Sequence, residues 1–254
     1  MDSGGRFDGK TAFVTGAASG LGKAFVNALS DRGCAVVVAD IDGAAAAEVA
    51  GVLQLRGGRA MSVPCDVADV QVVAEAVEST VAEFGGVDIL INNAGLHGKK
   101  YNAPLEILGI SEVRKMFDVN VMGVINCSLA CRAPMASRGG GVILNISSIG
   151  GYEVKSSYGV SKLAVRGLTV LLAHEFQSER IRVNAIAPGL IATDVIRAEF
   201  SGARFERIAS EEQLVHRTGE VDDIVGAMLY LCSDESSFVT AETLRVAGGR
   251  ALSF

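Results

Sequence analysis

A chain of 254 residues, 49% hydrophobic and 20% charged, can bury a substantial core, and no Pro-rich, Ser-rich or highly charged linker divides it, so one domain over 1–254 is expected. The net charge of −6, with no run of Lys or Arg, argues against nucleic-acid binding, which needs a concentrated basic surface. The opening Met1-Asp2-Ser3-Gly4-Gly5-Arg6-Phe7-Asp8-Gly9-Lys10 has no apolar signal core, and apolar runs stay below the roughly 18 residues of a membrane helix, so a cytoplasmic protein without a membrane partner is expected.

Along the chain, short β-branched runs alternate with stretches of helical period. Strand 11–15 precedes helix 21–32, 35–40 precedes 44–56, and 60–64 precedes 70–84. Strand 89–92 then precedes helix 111–137, and 142–146 precedes 156–178. Strand 182–187 leads into an irregular segment, followed by helix 222–232 and strand 243–246. Near-continuous apolar strands separated by helices predict a parallel sheet buried on both faces, a doubly wound α/β fold of Rossmann type. The five cysteines, Cys34, Cys65, Cys127, Cys131 and Cys232, are odd in number and scattered in apolar contexts, as expected of reduced core thiols. The helical spacing of Cys127 and Cys131 has no second ligand pair to complete a metal site, and no metal is expected.

The first strand-to-helix turn is glycine-rich: Thr15-Gly16-Ala17-Ala18-Ser19-Gly20-Leu21-Gly22. Glycines let backbone approach a pyrophosphate, and a helix start offers free N–H groups and the positive end of its dipole. The spacing departs from the GxGxxG fingerprint, so the cluster alone is equally compatible with a tight turn. Asp40 ends the second strand, near the offset at which a carboxylate meets the ribose hydroxyls of a dinucleotide; it would repel a 2′-phosphate, which favours NAD over NADP.

Tyr158 and Lys162 stand four residues apart in Ser156-Ser157-Tyr158-Gly159-Val160-Ser161-Lys162. On a helix they share a face. A phenol with an ordinary pKa of about 10 needs roughly 4 kcal/mol of preferential phenolate stabilisation to work near pH 7. An ammonium about 4 Å away, at an effective dielectric near 20, is of that magnitude before desolvation.

With the glycine turn, Asp66-Val67, Asn92-Asn93-Ala94-Gly95, Asn120, Ser147-Ser148, Tyr158-x-x-x-Lys162 and Pro188-Gly189-x-x-x-Thr193 in order, nearly the whole chain resembles the single-domain short-chain dehydrogenase/reductase family. The resemblance implies that Gly16, Ser19, Gly20, Leu21, Gly22 and Asp40 hold the cofactor NAD together with Asp66 and Val67 at the adenine. It implies that Asn92, Ala94 and Gly95 line the cleft, and that Pro188, Gly189, Ile191 and Thr193 meet the nicotinamide end. Tyr158 is then the acid-base, Lys162 lowers its pKa and binds the nicotinamide ribose, and Ser148 polarises the substrate oxygen. Asn120 holds a helical kink and completes a proton relay through water. Ser148 is preferred to Ser147 by its place after the fifth strand, although the stretch 149–157 is shorter than in many relatives, and the pair stays open.

The implied reaction is hydride transfer between NAD(H) and a secondary alcohol or ketone of moderately apolar character. The alternatives are an NADPH-dependent 3-oxoacyl reductase and a catalytically silent nucleotide-binding regulator. A serine hydrolase is disfavoured because no G-x-S-x-G elbow occurs. Residues 190–217 read as a substrate lid, with mixed charges and amphipathic spacing. His97, Lys99, Lys100 and Tyr101 are placed at the same pocket, where they permit an anionic substrate without requiring one. The resemblance also implies a homo-oligomer, commonly a tetramer, joined through the two long helices and the C-terminal strand region.

Overall fold

Val36, Val37 and Val38 have no exposed surface although successive side chains of a strand point to opposite faces, so the sheet is covered on both sides. The computed structural model of the chain describes residues 7–250; most of the opening decapeptide lies outside them. In chain order the elements begin β1 Thr11–Thr15, α1 Gly20–Ser30, β2 Ala35–Asp40, α2 Gly43–Leu55, β3 Ala60–Pro64, α3 Val70–Phe84 and β4 Ile89–Asn92. They continue α4 Leu105–Leu108, α5 Ile110–Phe117, α6 Gly123–Ser137, β5 Gly141–Ile146, α7 Gly150–Glu153 and α8 Ser157–Glu175. β6 Ile181–Pro188, α9 Asp194–Glu199, α10 Gly202–Arg207, α11 Val221–Cys232 and β7 Thr243–Val246 complete the chain.

All seven strands are parallel, in the order β3-β2-β1-β4-β5-β6-β7. Ala12, Val14, Val36 and Val38 face one layer with Phe25 and Leu29 of α1, Leu53 of α2, and Ile224 and Met228 of α11. Phe13, Val37, Leu90 and Ile143 face the other, with Val77 of α3, Cys127, Cys131 and Met135 of α6, and Val165 and Leu172 of α8. Each such side chain contributes on the order of 1.5–3 kcal/mol of transfer free energy. Burial also pushes the thiols of Cys34 and Cys232 up to about 12, as suits inert core cysteines.

The strand order reverses direction of growth between β1 and β4, and the carboxyl ends of the strands open a crevice there, where open α/β sheets take their ligands. The helix expected over 111–137 is interrupted: residues Asp118–Met122 form a π-turn between α5 and α6, with Asn120 at its centre. Among the described residues, no helix is long and apolar enough to cross a membrane.

Candidate active site

A cleft of about 560 Å³ runs along the carboxyl ends of β1, β2, β4, β5 and β6. At one end it is lined by Gly16, Ser19, Gly20 and Leu21 of the first turn. The helices α2 and α3 are capped by Asp42 and Asp69, whose carboxylates accept from Ala45 N and from Gln71 and Val72 N. By contrast, α1 has no side-chain cap and no acidic residue in its first turn, so the positive end of its dipole is left to the cleft. Gly16 and Gly20 take positive φ, at 61° and 52°, in making the turn. Gly22, expected among the cofactor-binding residues, does not line the cleft. A Cβ on it would lie 2.2 Å from Gly16 O, so it is glycine because helix and turn pack against each other.

Asp40 lines the cleft, its Oδ2 accepting from Ala18 N (2.9 Å) and its Oδ1 from Asp42 N (3.1 Å). A carboxylate has about four lone-pair sites, so acceptor capacity for hydroxyls is left. Asp66 and Val67 line the same end, Asp66 also accepting from Ala68 N. Asn92 corrects the sequence-based expectation. It is 4% exposed beneath the cleft floor, donating to Asn145 Oδ1 (2.9 Å) and Ser128 Oγ (3.2 Å). The last pleat of β4 points it into the core, and the next residue, Asn93, takes the place at the cleft. Asn93 Nδ2 donates to Thr15 O and Gly16 O, both at 2.9 Å, while Thr15 Oγ1 accepts from Asn93 N and Ala94 N. These bonds lock the turn after β4 onto the glycine turn. The second Asn of Asn-Asn-Ala-Gly was the only sequence signal for it.

α8 begins at the N-cap Ser156, whose Oγ accepts from Gly159 N (3.2 Å), and it carries Tyr158 and Lys162 into the middle of the cleft wall. Both Ser147 and Ser148 line the cleft, and they differ in their hydrogen bonds. Ser147 is 2% exposed and donates to Lys162 O (2.8 Å), tying β5 to α8. Ser148 accepts from Gly150 N (3.0 Å) and stands beside Tyr158: a Cβ on Gly150 would lie 3.4 Å from Ser148 Oγ and 3.5 Å from Tyr158 Cε1. Lys162 donates from Nζ to Ile146 O (2.8 Å), its ammonium 5.9 Å from the Tyr158 ring centroid.

Burial, and not the expected pull of lysine on the phenol, is the largest influence on both groups. It raises the Tyr158 pKa, opposed by the neighbouring Ser148 hydroxyl, and lowers Lys162 from 10.5 to about 8. Desolvation disfavours the charged form of each, phenolate and ammonium alike.

Asn120, 1% exposed, sits at the centre of the interruption expected of it. Its Oδ1 accepts from Leu96 N (2.7 Å), and its Nδ2 donates to Leu96 O (3.0 Å) and Ser161 Oγ (3.1 Å). Both N–H donors of the amide hold the 95–97 loop and α8 together, and its oxygen keeps one acceptor site. A Cβ on Gly95 would stand 3.3 Å from Asn120 Oδ1 and 3.4 Å from Lys162 Nζ, so a larger residue would press on both side chains.

Pro188, Gly189, Ile191 and Thr193 line the far end of the cleft, with Leu96, His97, Leu190, Val195 and Ile196. Thr193 caps α9, its Oγ1 accepting from Ile196 N (3.3 Å). The segment from β6 to α11 is stitched at its base, where Ala192 N donates to Gly219 O. Of the loop residues placed at this pocket by sequence, only His97 lines it. Tyr101 is buried against Leu108 and Met116, and Lys100 pairs with Glu112 at 2.8 Å. Tyr152 lies under the Arg166 guanidinium, 3.5 Å from its ring centroid, outside the cleft lining.

A parallel sheet with a dinucleotide-sized crevice at its switch point, an uncapped helix start and a Ser-Tyr-Lys set on its wall defines a class of nicotinamide-dependent oxidoreductase. A family model described as enoyl-(acyl carrier protein) reductase matches residues 16–251. An uncharacterised oxidoreductase of Mycobacterium tuberculosis is 40% identical over 246 residues, 97% of this chain and 99% of its own. A 7α-hydroxysteroid dehydrogenase solved with NADH and 7-oxo glycochenodeoxycholic acid superposes with a TM-score of 0.89 at 34% identity, covering 98% of each chain. A gluconate 5-dehydrogenase of Burkholderia cenocepacia, solved with NADP and tartrate, also gives 0.89, at 33% identity and covering 96% of this chain and 95% of its own. The chain belongs to the short-chain dehydrogenase/reductase family and is an NAD(P)-dependent oxidoreductase acting between alcohol and ketone.

Proposed function

We propose that the protein transfers hydride between NAD(H) and a secondary alcohol or ketone of moderately apolar character, with Tyr158 as acid-base, Ser148 as the partner of the reacting oxygen, Lys162 as electrostatic support and Asn120 as a positioning residue. The observation that carries this reading is that Ser148, Tyr158 and Lys162 line one cleft, with the Ser148 hydroxyl and the Tyr158 ring side by side at Gly150 and Lys162 buried behind them. The two hydroxyls can hold one carbinol or carbonyl oxygen between them. In the oxidative direction Tyr158 accepts the carbinol proton, and in reduction it returns one to the carbonyl oxygen. A bound nicotinamide supplies or takes the hydride, and its oxidised form adds a positive charge that favours the phenolate. Lys162 stays fixed by Ile146 O and keeps its remaining N–H donors for a ribose hydroxyl. Asn120 keeps the Leu96 loop in place rather than passing protons through its side chain.

The cleft residues fit a dinucleotide with free ribose hydroxyls. The dipole end of α1 would receive the pyrophosphate, Asp40 would accept from the hydroxyls, and Asp66 and Val67 would hold the adenine. Asp40 supports NAD over NADP, in line with the NADH of the steroid dehydrogenase complex and against the NADP of the gluconate dehydrogenase complex. The lining by Leu96, Leu190, Val195 and Ile196 supports an apolar substrate body under a lid formed by residues 190–217. Both solved relatives were determined in complex with a carboxylic acid as well as a cofactor. A cytoplasmic homotetramer completes the proposal, supported by the exposed Leu163, Val170 and Leu171 on α8 and Leu129 on α6.

The test is an initial-rate panel of secondary alcohols, sugars and hydroxysteroids run with NAD and with NADP. At least tenfold preference for NAD is expected. Equal or better use of NADP would refute the role given to Asp40 and favour an NADPH-linked oxoacyl reductase; unchanged behaviour after Tyr158→Phe would leave only a nucleotide sensor.

A further inference from the structure

At the mouth of the cleft, beyond Val195 and Ile196, the lid meets the loop that follows Gly95. Glu199 at the end of α9 accepts from Lys99 N (3.1 Å), and a Cβ on Gly98 would lie 2.5 Å from its Oε1. The two walls are therefore in contact. Next to this contact, Phe200 carries two cations on its ring: Lys99 Nζ at 5.2 Å from the centroid and Arg204 Cζ at 4.6 Å.

Other cations around this rim are neutralised. Lys100 pairs with Glu112, Arg197 with Glu220, and Arg207 with Glu211 and Glu212. Lys99 and Arg204 form no ion pair among the described residues. One comes from the loop wall and one from the lid wall, and a single aromatic ring holds both in a chain of net negative charge. The Glu199 carboxylate faces the Gly98–Lys99 backbone. Phe200 is the C-cap of α9 and donates its N–H to the carbonyl of Ile196, which lines the cleft. Inside that rim the wall is apolar: Leu96, Leu190, Val195 and Ile196.

We propose that the substrate carries a carboxylate at the end remote from its reacting carbon, received at the mouth by Lys99 and Arg204 across the ring of Phe200, with an apolar body spanning the distance to Ser148 and Tyr158. The inference rests on the oxidoreductase reading above and names the substrate class of that same site. It also gives the two walls a reason to close together, because each contributes one charge to the same ligand group.

The test uses (ω−1)-hydroxy carboxylates of graded chain length, each beside its N-methylamide, in initial-rate assays with NAD. A second arm measures their competition against whichever neutral alcohol the panel turns over, and calorimetric binding in the presence of NADH. The acid is expected to exceed its amide about tenfold in kcat/KM, or in affinity, with a preference that grows to an optimal length and shrinks with added salt. K99E/R204E should invert the preference, while K99R/R204K, which keeps both charges, should retain it and controls for folding. Equal handling of acid and amide, or a preference unchanged in K99E/R204E, overturns the proposal, as does failure of the acids to react, compete or bind. Absence of NAD-linked turnover with every alcohol instead sinks the oxidoreductase reading, and the calorimetric arm still decides whether the mouth prefers the carboxylate.

Discussion

The two halves of the cleft are built on different principles. The cofactor half is made of strand ends, the uncapped α1 start and α8, positioned by backbone bonds such as those from Asn93 to Thr15 and Gly16 and by buried side chains with single orientations. The mouth is made of residues 190–217 and the loop after Gly95, with helices of six residues, a π-turn at Ile208–Glu212, exposed ion pairs and cations on an aromatic ring. Change in the first half should be read in chemistry, and change in the second in substrate affinity. Exposed pairs contribute little each, so the mouth is held by many weak contacts anchored at the Ala192–Gly219 stitch.

The largest effect should fall in the rigid half. Tyr158→Phe removes the exchangeable proton and should lower kcat/KM by about 10²–10⁴-fold while NADH binding, followed by nicotinamide fluorescence, persists. Comparable loss of cofactor binding would show that the phenol is structural.

Lys162 sharpens the same comparison through stability. Below pH 8 the lysine is charged both in the native protein and in the unfolded chain, and the native state carries the cost of burying it. Between about 8 and 10.5 the unfolded chain holds the extra proton, so native stability rises with pH. Denaturant midpoints of the wild type relative to Lys162→Met should therefore move in favour of the wild type by about 3 kcal/mol across that window. A difference that stays flat with pH would mean that the ammonium is not desolvated. Where turnover depends on the ammonium, kcat/KM, which reports the ionisations of the free enzyme, should fall as pH rises through about 8.

The serine pair separates chemistry from packing between consecutive residues. Ser148→Ala should lower kcat by about 10²-fold with little change in melting temperature, because it loses a hydroxyl at the reacting oxygen. Ser147→Ala should cost about 1 kcal/mol of stability, since Lys162 O loses its donor, with a much smaller effect on kcat. The reverse pattern would exchange the two assignments.

The smallest effect belongs to the mouth. Gly98 has φ of 91° and faces the Glu199 carboxylate, so Gly98→Ala should displace Glu199 and raise KM about threefold with kcat nearly unchanged. A large fall in kcat instead would show that the mouth is coupled to the catalytic wall rather than separate from it.

By itself the sequence determined the doubly wound architecture, because β-branched runs and helical periods are local signals and a parallel sheet must alternate them. It also marked the residues on the cleft wall, since Tyr158, Lys162, the glycine turn and Asp40 stand at spacings that a helix and a strand end convert directly into positions. Only the tertiary structure decided how adjacent residues divide their roles. Asn92 points into the core while Asn93 lines the cleft, because a pleat turns neighbours to opposite sides and the register of β4 sets which side is buried; of the two serines at the cleft, Ser147 is tied to Lys162 O and Ser148 stands beside Tyr158. It likewise decided the direction of the Tyr158 and Lys162 shifts, the commitment of Asn120 to Leu96, and the meeting of Lys99 with Arg204. Those depend on burial and on contacts between residues about 20 to 100 positions apart, which no local spacing encodes.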